Sequence, residues 1–329
     1  MTICTPQRSF FAIGMTLLLT AMLSTTVSAQ PYPERPVKLT VGFAPGTGPD
    51  VLARTLGLKL GDNLKQPLMI DNRAGAGGQI AAQSVSKSVA DGYSLLLADV
   101  SAISIAPAAF GKLPYDPAKE LVIVSEVART DFILVVPMNS PARTLGDFVK
   151  IAKANSAKVN FATFGAGTPG HFGAEMLAEQ AGFKVEPIHF RATGDAVTAI
   201  VAGDVQAALV STALGMAQIK GGKMRGLATT APKRTPLLPE VPTFTESGFP
   251  KADFSAWFGV FVPAATPAHV LAILNAQIVD AVHSPDVKKR LEEAGFSIIG
   301  STQAEARQMV AAETLRWERV VKTSGFKGD

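Results

Sequence analysis

Cysteine is almost missing from this 329-residue chain, Cys4 being the only one. One thiol excludes an internal disulfide, a cysteine-built zinc site and an iron–sulfur cluster. Aromatic residues make up only 7%, and charged residues, at 18%, fall below the usual quarter. Neither sign of charge dominates: 31 basic and 27 acidic residues leave a net charge of +4 with no Lys/Arg cluster, so no nucleic acid is expected as a partner. His171, His189, His269 and His283 show no metal spacing, nothing reads as H-E-x-x-H, and a packed structural role is the default for each. No G-x-S-x-G nucleophile elbow occurs. Ser84-Val85-Ser86-Lys87 matches S-x-x-K, but its S-D-N and K-T-G companions are missing, Lys322-Thr323-Ser324-Gly325 included. No acid/base or nucleophile set emerges, so the chain is read as a non-enzyme with no metal and no cofactor.

Apolar residues, at 47%, are ample for a buried core, and the length is that of two domains. The N-terminus has its own pattern. Arg8 precedes an apolar run over residues 10–23, and Val27-Ser28-Ala29 ends in small residues before Gln30. That is the pattern of a secretory signal peptide over residues 1–29, cleaved after Ala29. The run is shorter than the roughly 20 residues of a membrane span, and no cysteine follows it to carry a lipid. A soluble, exported mature chain is expected.

Beyond it, strand-like and helix-like segments alternate. Residues 37–43 are β-branched and apolar, and Val51, Leu52, Thr55, Leu56 and Leu60 then recur at helical spacing. Residues 68–70 and 94–98 read as strands and 80–89 as a helix, which implies a parallel sheet covered on both faces. Residues 120–127 and 132–137 read as two strands separated by the polar Arg129-Thr130-Asp131. A second block repeats the pattern, with helices at 144–154, 169–181 and 195–202 and strands at 159–164, 185–190, 207–211 and 225–229. A proline-rich loop over 232–250 leads to an extended segment, 254–262, and to helices at 267–283, 285–294 and 303–323 that return to the first domain. Chain crossings near residues 129–132 and 253–259 would set a ligand cleft between two lobes.

Two glycine-rich turns stand between a strand and a helix: Gly46-Thr47-Gly48 and Gly165-Ala166-Gly167-Thr168. Turns of this kind expose N–H groups at a helix start, where unpaired donors and the helix dipole favour an anion. Tight strand–helix connections also need glycine for backbone reasons alone. A dinucleotide is the rival ligand, with Asp71 at about the right distance to meet a ribose, but G-x-G-x-x-G is absent.

Motifs along nearly the whole chain resemble the Bug (TctC-like) family of extracytoplasmic solute receptors of tripartite tricarboxylate transporters. The residues that carry the likeness are Tyr32-Pro33-Glu34-Arg35-Pro36-Val37, Gly42-Phe43-Ala44-Pro45-Gly46 with Asp50 and Ala53-Arg54, Asp71-Asn72-Arg73-Ala74-Gly75-Ala76-Gly77-Gly78, Asp91-Gly92-Tyr93 and Leu113-Pro114-Tyr115-Asp116-Pro117. The second half adds Gly165-Ala166-Gly167-Thr168 with His171, Ala202-Gly203-Asp204-Val205, Pro239-Glu240-Val241-Pro242-Thr243, Glu246-Ser247-Gly248, Trp257 and Pro263-Ala264.

The resemblance implies an α/β, two-lobed periplasmic binding protein (Venus flytrap) with two doubly wound α/β domains joined by crossing strands. Lobe 1 would hold residues 30–128 and 254–329, and lobe 2 residues 129–253. The implied function is capture of a small carboxylate (a di- or tricarboxylate, an aromatic acid or an amino acid) by cleft closure. Delivery would be to integral membrane transporter subunits, or alternatively to a membrane sensor, by a monomeric receptor. Carried over by position, Phe43, Ala44, Gly46 and Thr47 in lobe 1 and Gly167 and Thr168 in lobe 2 would bind the ligand together with ordered waters. Asp99, Ser101 and Ser104 follow the third strand and either line the cleft or cap their own loop.

Two departures from the family pattern concern specificity. The first turn reads Ala-Pro-Gly-Thr-Gly-Pro where Pro-Pro-Gly-Gly is usual, so Thr47 brings a side chain to a bare position. The segment from Phe190 through Arg191 to Ala196 replaces a usual Tyr-Lys-Gly. Arg191 would then meet a second carboxylate or Asp195 an amine, unless Thr193 simply caps the helix there.

Overall fold

The structure is a computed structural model that describes residues 1–2, 32–154, 158–190, 192–252 and 254–328. The segment read as a signal peptide, with its Ala29 cleavage point, and the residues Arg191 and Asp253 lie outside the described residues. From Arg35 onward the chain forms one unit, which contains every strand and helix described below.

Strands β1 (Val37–Val41), β2 (Leu68–Asn72) and β3 (Ser94–Asp99) run parallel in the spatial order β2-β1-β3. Helices α1 (Gly48–Leu64) and α2 (Gln79–Ser86) make the connections between them. Leu52, Leu56 and Leu60 of α1 are fully buried, four residues apart on one face. Each such burial contributes about 1.5–3 kcal/mol relative to exposure. A π-helical turn at Ser101–Ile105 and two short helices, α3 (Ala106–Ala109) and α4 (Pro117–Glu120), lead to β4 (Leu121–Pro137). The second half is α5 (Leu145–Ala154), β5 (Val159–Thr163), α6 (Pro169–Ala181), β6 (Val185–His189), α7 (Thr193–Ala202), β7 (Ala207–Ser211), α8 (Thr212–Lys220) and β8 (Met224–Thr229). Strand β9 (Ser255–Pro263) then returns to the first half, followed by α9 (Ala268–His283), α10 (Pro285–Glu293), β10 (Phe296–Ile298) and α11 (Gln303–Ser324).

One sheet runs β2-β1-β3-β9-β4-β7-β5-β6, with β10 and β8 also paired to β4. Its two ends repeat a topology. In the second half β5, β6 and β7 are parallel in the order β6-β5-β7, matching β2-β1-β3. Each set is then flanked by an antiparallel strand supplied by the other crossing, β9 beside β3 and β4 beside β7. These are the doubly wound domains joined by crossing strands that were expected.

The largest difference from the sequence reading is β4. The two strands expected at 120–127 and 132–137 are one 17-residue strand. Its polar centre does not break it because every polar group there finds a partner. Arg129 is ion-paired with Glu126 at 2.5 Å, and Thr130 Oγ1 donates at 3.3 Å to Gly295 O, just before the neighbouring β10. Through Asp131 the strand pairs with β9, and from Phe132 onward with β7 and β8. Helix α8 was not expected; it contains Gly215 and buries only Thr212 and Gly215, so it carries little apolar periodicity.

Helix α11 packs on β4, on the π-helical turn and on α6, and so touches elements of both halves. Its fully buried Trp317 meets Phe172 and Phe254 at 6.2 Å between ring centroids. No described helix is long and apolar enough to cross a membrane.

Close packing in this region gives a test. A Cβ on Gly173 of α6 would overlap the Phe254 ring and come within 2.8 Å of Leu209 Cδ1. Gly173→Ala should therefore lose about 1–3 kcal/mol of stability despite its better helix propensity, measured by urea unfolding. An unchanged midpoint would mean that α6 can move off Phe254 freely.

Candidate functional site

The carboxyl ends of the parallel strands, where crevices of open α/β sheets form, carry most of the residues singled out from the sequence. Phe43, Ala44, Gly46 and Thr47 lie on the β1–α1 turn, and Gly167 and Thr168 on the corresponding β5–α6 turn. Asp99 and Ser101 lie at the end of β3, the strand beside β1. Asp195 is exposed in the first turn of α7.

The two turns are built alike. Gly46 and Gly167 sit at φ +78° and +73°, which glycine adopts without strain. Thr47 and Thr168 are the N-cap residues of α1 and α6, yet neither side chain caps its helix. Thr47 Oγ1 instead donates back to Ala44 O at 2.6 Å, and Thr168 Oγ1 to Gly165 O at 2.8 Å. Proline in the first turn of each helix removes one orphan donor, Pro49 in α1 and Pro169 in α6. Among the described residues, no acceptor takes the N–H of Gly48 or Asp50, or of Thr168 or Gly170. Both turns thus keep free donors at a helix start.

The turn glycines are held by a side chain four residues on. Gly46 N–H donates to Asp50 Oδ2 at 2.9 Å, and Gly167 N–H to His171 Nδ1 at 3.2 Å. These two N–H groups are therefore engaged internally, which moves the open donors one to four positions downstream of the glycines. Asp50 is 3% exposed and also accepts from Arg54 Nε and Asn72 Nδ2, both at 2.9 Å. Burial opposes its charge, but Arg54, the Gly46 N–H and Asn72 outweigh that and hold the carboxyl below the usual range. Its negative charge is thus matched by Arg54 before any anion arrives. Burial, and then neighbouring His189, push His171 down to about 4, so it is neutral at pH 7 and able to accept from Gly167.

Asp99 is 5% exposed, and its carboxylate accepts from Ser101 N at 3.0 Å and Ser101 Oγ at 2.9 Å. Ser104 Oγ is 3.0 Å from Thr314 Oγ1 of α11. Asp99 and Ser101 thus satisfy each other, while Ser104 is tied to α11. On α7 the cap position is Ala192 with no side-chain cap bond, so capping by Thr193 does not occur.

Aromatic residues around the second turn escaped the sequence reading. A Cβ on Gly167 would lie 3.0 Å from the Phe110 ring, and Phe326, 6.3 Å from Phe110, meets His171 at 4.8 Å and Phe172 at 5.7 Å. Gly328 N–H donates to Ala109 O at 2.7 Å, tying the C-terminal tail to the segment that carries Phe110. The only clue was three aromatic residues far apart in the chain. Two cavities, of about 410 and 480 Å³, lie away from both turns, the first lined by Phe148, Ala202 and Val205 and the second by Arg35, Lys87 and Tyr93. No group of three His, Cys, Asp or Glu able to hold a metal occurs among the described residues.

The chain matches the tripartite tricarboxylate transporter family receptor (TctC) over residues 52–326. It belongs to that receptor family. BugT of Bordetella pertussis is 33% identical over 97% of this chain and 98% of the relative. The solved periplasmic binding protein BugD has 27% identity and a TM-score of 0.83, covering 91% of this chain and 100% of that one. MatC from Rhodopseudomonas palustris, solved with bound malate, has 30% identity and a TM-score of 0.81, covering 88% and 100%. The fold is thus the two-lobed one of TctC-type periplasmic binding proteins. These receptors bind solutes rather than transform them, in keeping with the lack of a catalytic set in the sequence.

The buried Asp99 gives a pH test. Burial raises its carboxyl from 3.8 to about 6, and its bonds to Ser101 only partly offset this. The folded state therefore holds the proton more tightly than the unfolded chain. Stability from this group is fully present below 3.8 and is lost as pH rises to about 6. Wild type should lose about 1–3 kcal/mol relative to Asp99→Asn across that window, followed by urea unfolding at a series of pH values. A difference that does not vary with pH would contradict the raised pKa of Asp99.

Proposed function

We propose that this protein is a periplasmic receptor that closes on a small carboxylate and hands it to the integral membrane subunits of a tripartite tricarboxylate-type transporter. The observation that carries this reading is the repeated turn. Each half offers a glycine–threonine turn into a helix with proline in its first turn, where the N–H groups of Gly48 and Asp50, and of Thr168 and Gly170, have no acceptor among the described residues. Backbone donors at a helix start suit a carboxylate, and two sets suit a solute gripped from both sides. Membership of a transporter receptor family and the likeness to malate-bound MatC support the same ligand class.

In this reading Phe43, Ala44 and Thr47 shape the first subsite and Gly167 and Thr168 the second, with ordered waters completing the contacts. Gly46 acts through the turn it permits, since its own N–H is held by Asp50. Lobe 1 comprises residues 30–128 and 254–329 and lobe 2 residues 129–253. The change of pairing partner in β4 after Asp131 supports that division. Closure bends the chain at the crossings, and the closed form presents the surface that a membrane partner recognises. The receptor reaches the periplasm through a signal peptide over residues 1–29 and works as a monomer.

Calorimetric titration with succinate, malate and adipate beside their diamides tests the ligand class. The best-bound acid should exceed its diamide by about a hundredfold or more, because charge-assisted hydrogen bonds are roughly twice as strong as neutral ones. Equal affinity for acid and diamide would end the carboxylate reading.

A further inference from the structure

The two halves differ in the groups that stand behind their turns. In the first half Asp50, which holds Gly46, is met by Asn72, the last residue of β2. Asn72 has little left to offer: Nδ2 donates to both Asp50 and Phe43 O, and Oδ1 accepts from Arg54 at 3.1 Å. In the second half His171, which holds Gly167, is met edge-to-face at 4.9 Å by His189, the last residue of β6. β2 and β6 are the outer strands of the two repeated sets, so Asn72 and His189 end corresponding strands.

His189 is engaged on one side only. It lies opposite Thr163 in the β5–β6 register, and its Nδ1 is 2.6 Å from Thr163 Oγ1. Thr163 is fully buried, and among the described residues Nδ1 is the one acceptor for its hydroxyl proton. A buried hydroxyl that donates nowhere is costly, so the hydroxyl donates to Nδ1 and the imidazole proton resides on Nε2. The His189 side chain is exposed, and Nε2 has no hydrogen-bond partner among the described residues. A fixed donor therefore stands at the carboxyl end of the sheet, one ring contact from the residue that holds Gly167.

We propose that His189 is a specificity-determining ligand contact, its Nε2–H donating to a carboxylate oxygen of the solute held at the second-half turn. This contact rests on the receptor function proposed for the chain and deepens it. The first half, with Asn72 satisfied internally, grips by backbone alone, whereas the second half adds a side-chain donor. The imidazole is pre-oriented by Thr163 and by its packing on His171, so little freedom is lost when it binds. A solute with an oxygen acceptor at that end is favoured over one without, since an unmet donor would remain in the closed site.

The test uses whichever of succinate, malate and adipate binds wild type most tightly. His189→Phe keeps a ring against His171 and removes the donor. It should bind that acid about tenfold to a hundredfold more weakly, the range for a hydrogen bond to a charged group, while staying folded with a lower melting temperature, because the Thr163 hydroxyl loses its acceptor. In the wild-type protein, the His189 Nε2 resonance followed by 15N NMR should move on saturation with the same acid. Unchanged affinity in folded His189→Phe, or an unmoved Nε2 resonance at saturation, would overturn the contact and leave the receptor function intact. Binding of none of the three acids to wild type would overturn the receptor function, and the contact with it.

Discussion

Strand β4 is the constraint on which the rest of the structure depends. Its first eleven residues pair with β9 and the remainder with β7 and β8, so one extended segment is structural to both halves. An interrupted strand would leave the neighbouring ladders without a partner. The polar residues at the change of partner are tolerated because Glu126, Arg129 and Thr130 satisfy one another or their neighbours. A half-buried pair of this kind adds little net stability, yet breaking it strands the buried Glu126 charge, which favours one register over its alternatives. With β4 fixed, both parallel sets are positioned, and with them the strand ends that carry the turns.

The turns show how one architectural solution is used twice with different chemistry. Each is a helix start whose threonine bonds backward, freeing the forward N–H groups, and whose glycine is held from the first turn of the helix. In the first half the holder is an ionised aspartate matched by arginine. In the second it is a neutral histidine among aromatic rings. The first arrangement is polar and closed upon itself. The second leaves an exposed imidazole, so discrimination between solutes falls to that side. Helix α11 and the tail carrying Phe326 pack on α6 at His171 and Phe172, just behind the second turn, which makes this C-terminal segment part of that turn's support.

Much of this was legible in the sequence where local rules suffice. Periodicity located α1, α6 and α11 and most strands, and glycine placed between strand and helix located both turns. The unity of β4 was not legible, because Arg129-Thr130-Asp131 resembles a loop until Glu126 and the Gly295 carbonyl are in place. Helix α8 gave little signal because it buries few residues on any face. Among site residues, the positions of Thr47 and Thr168 were readable, but the direction of their hydroxyls was not. The engagement of Gly46 and Gly167 by Asp50 and His171 depends on geometry that a spacing of four residues does not reveal. Phe110, Trp317 and Phe326 come together only through tertiary packing, and no local pattern announces them.

The central claim is that one solute is held by both turns at once. It is tested most directly by following the backbone amide resonances of Gly48, Asp50, Thr168 and Gly170 while the best-binding dicarboxylate is added. All four should move with a single shared dissociation constant, since the ligand joins both halves in one event. Movement confined to one turn, or separate constants for the two, would contradict the account.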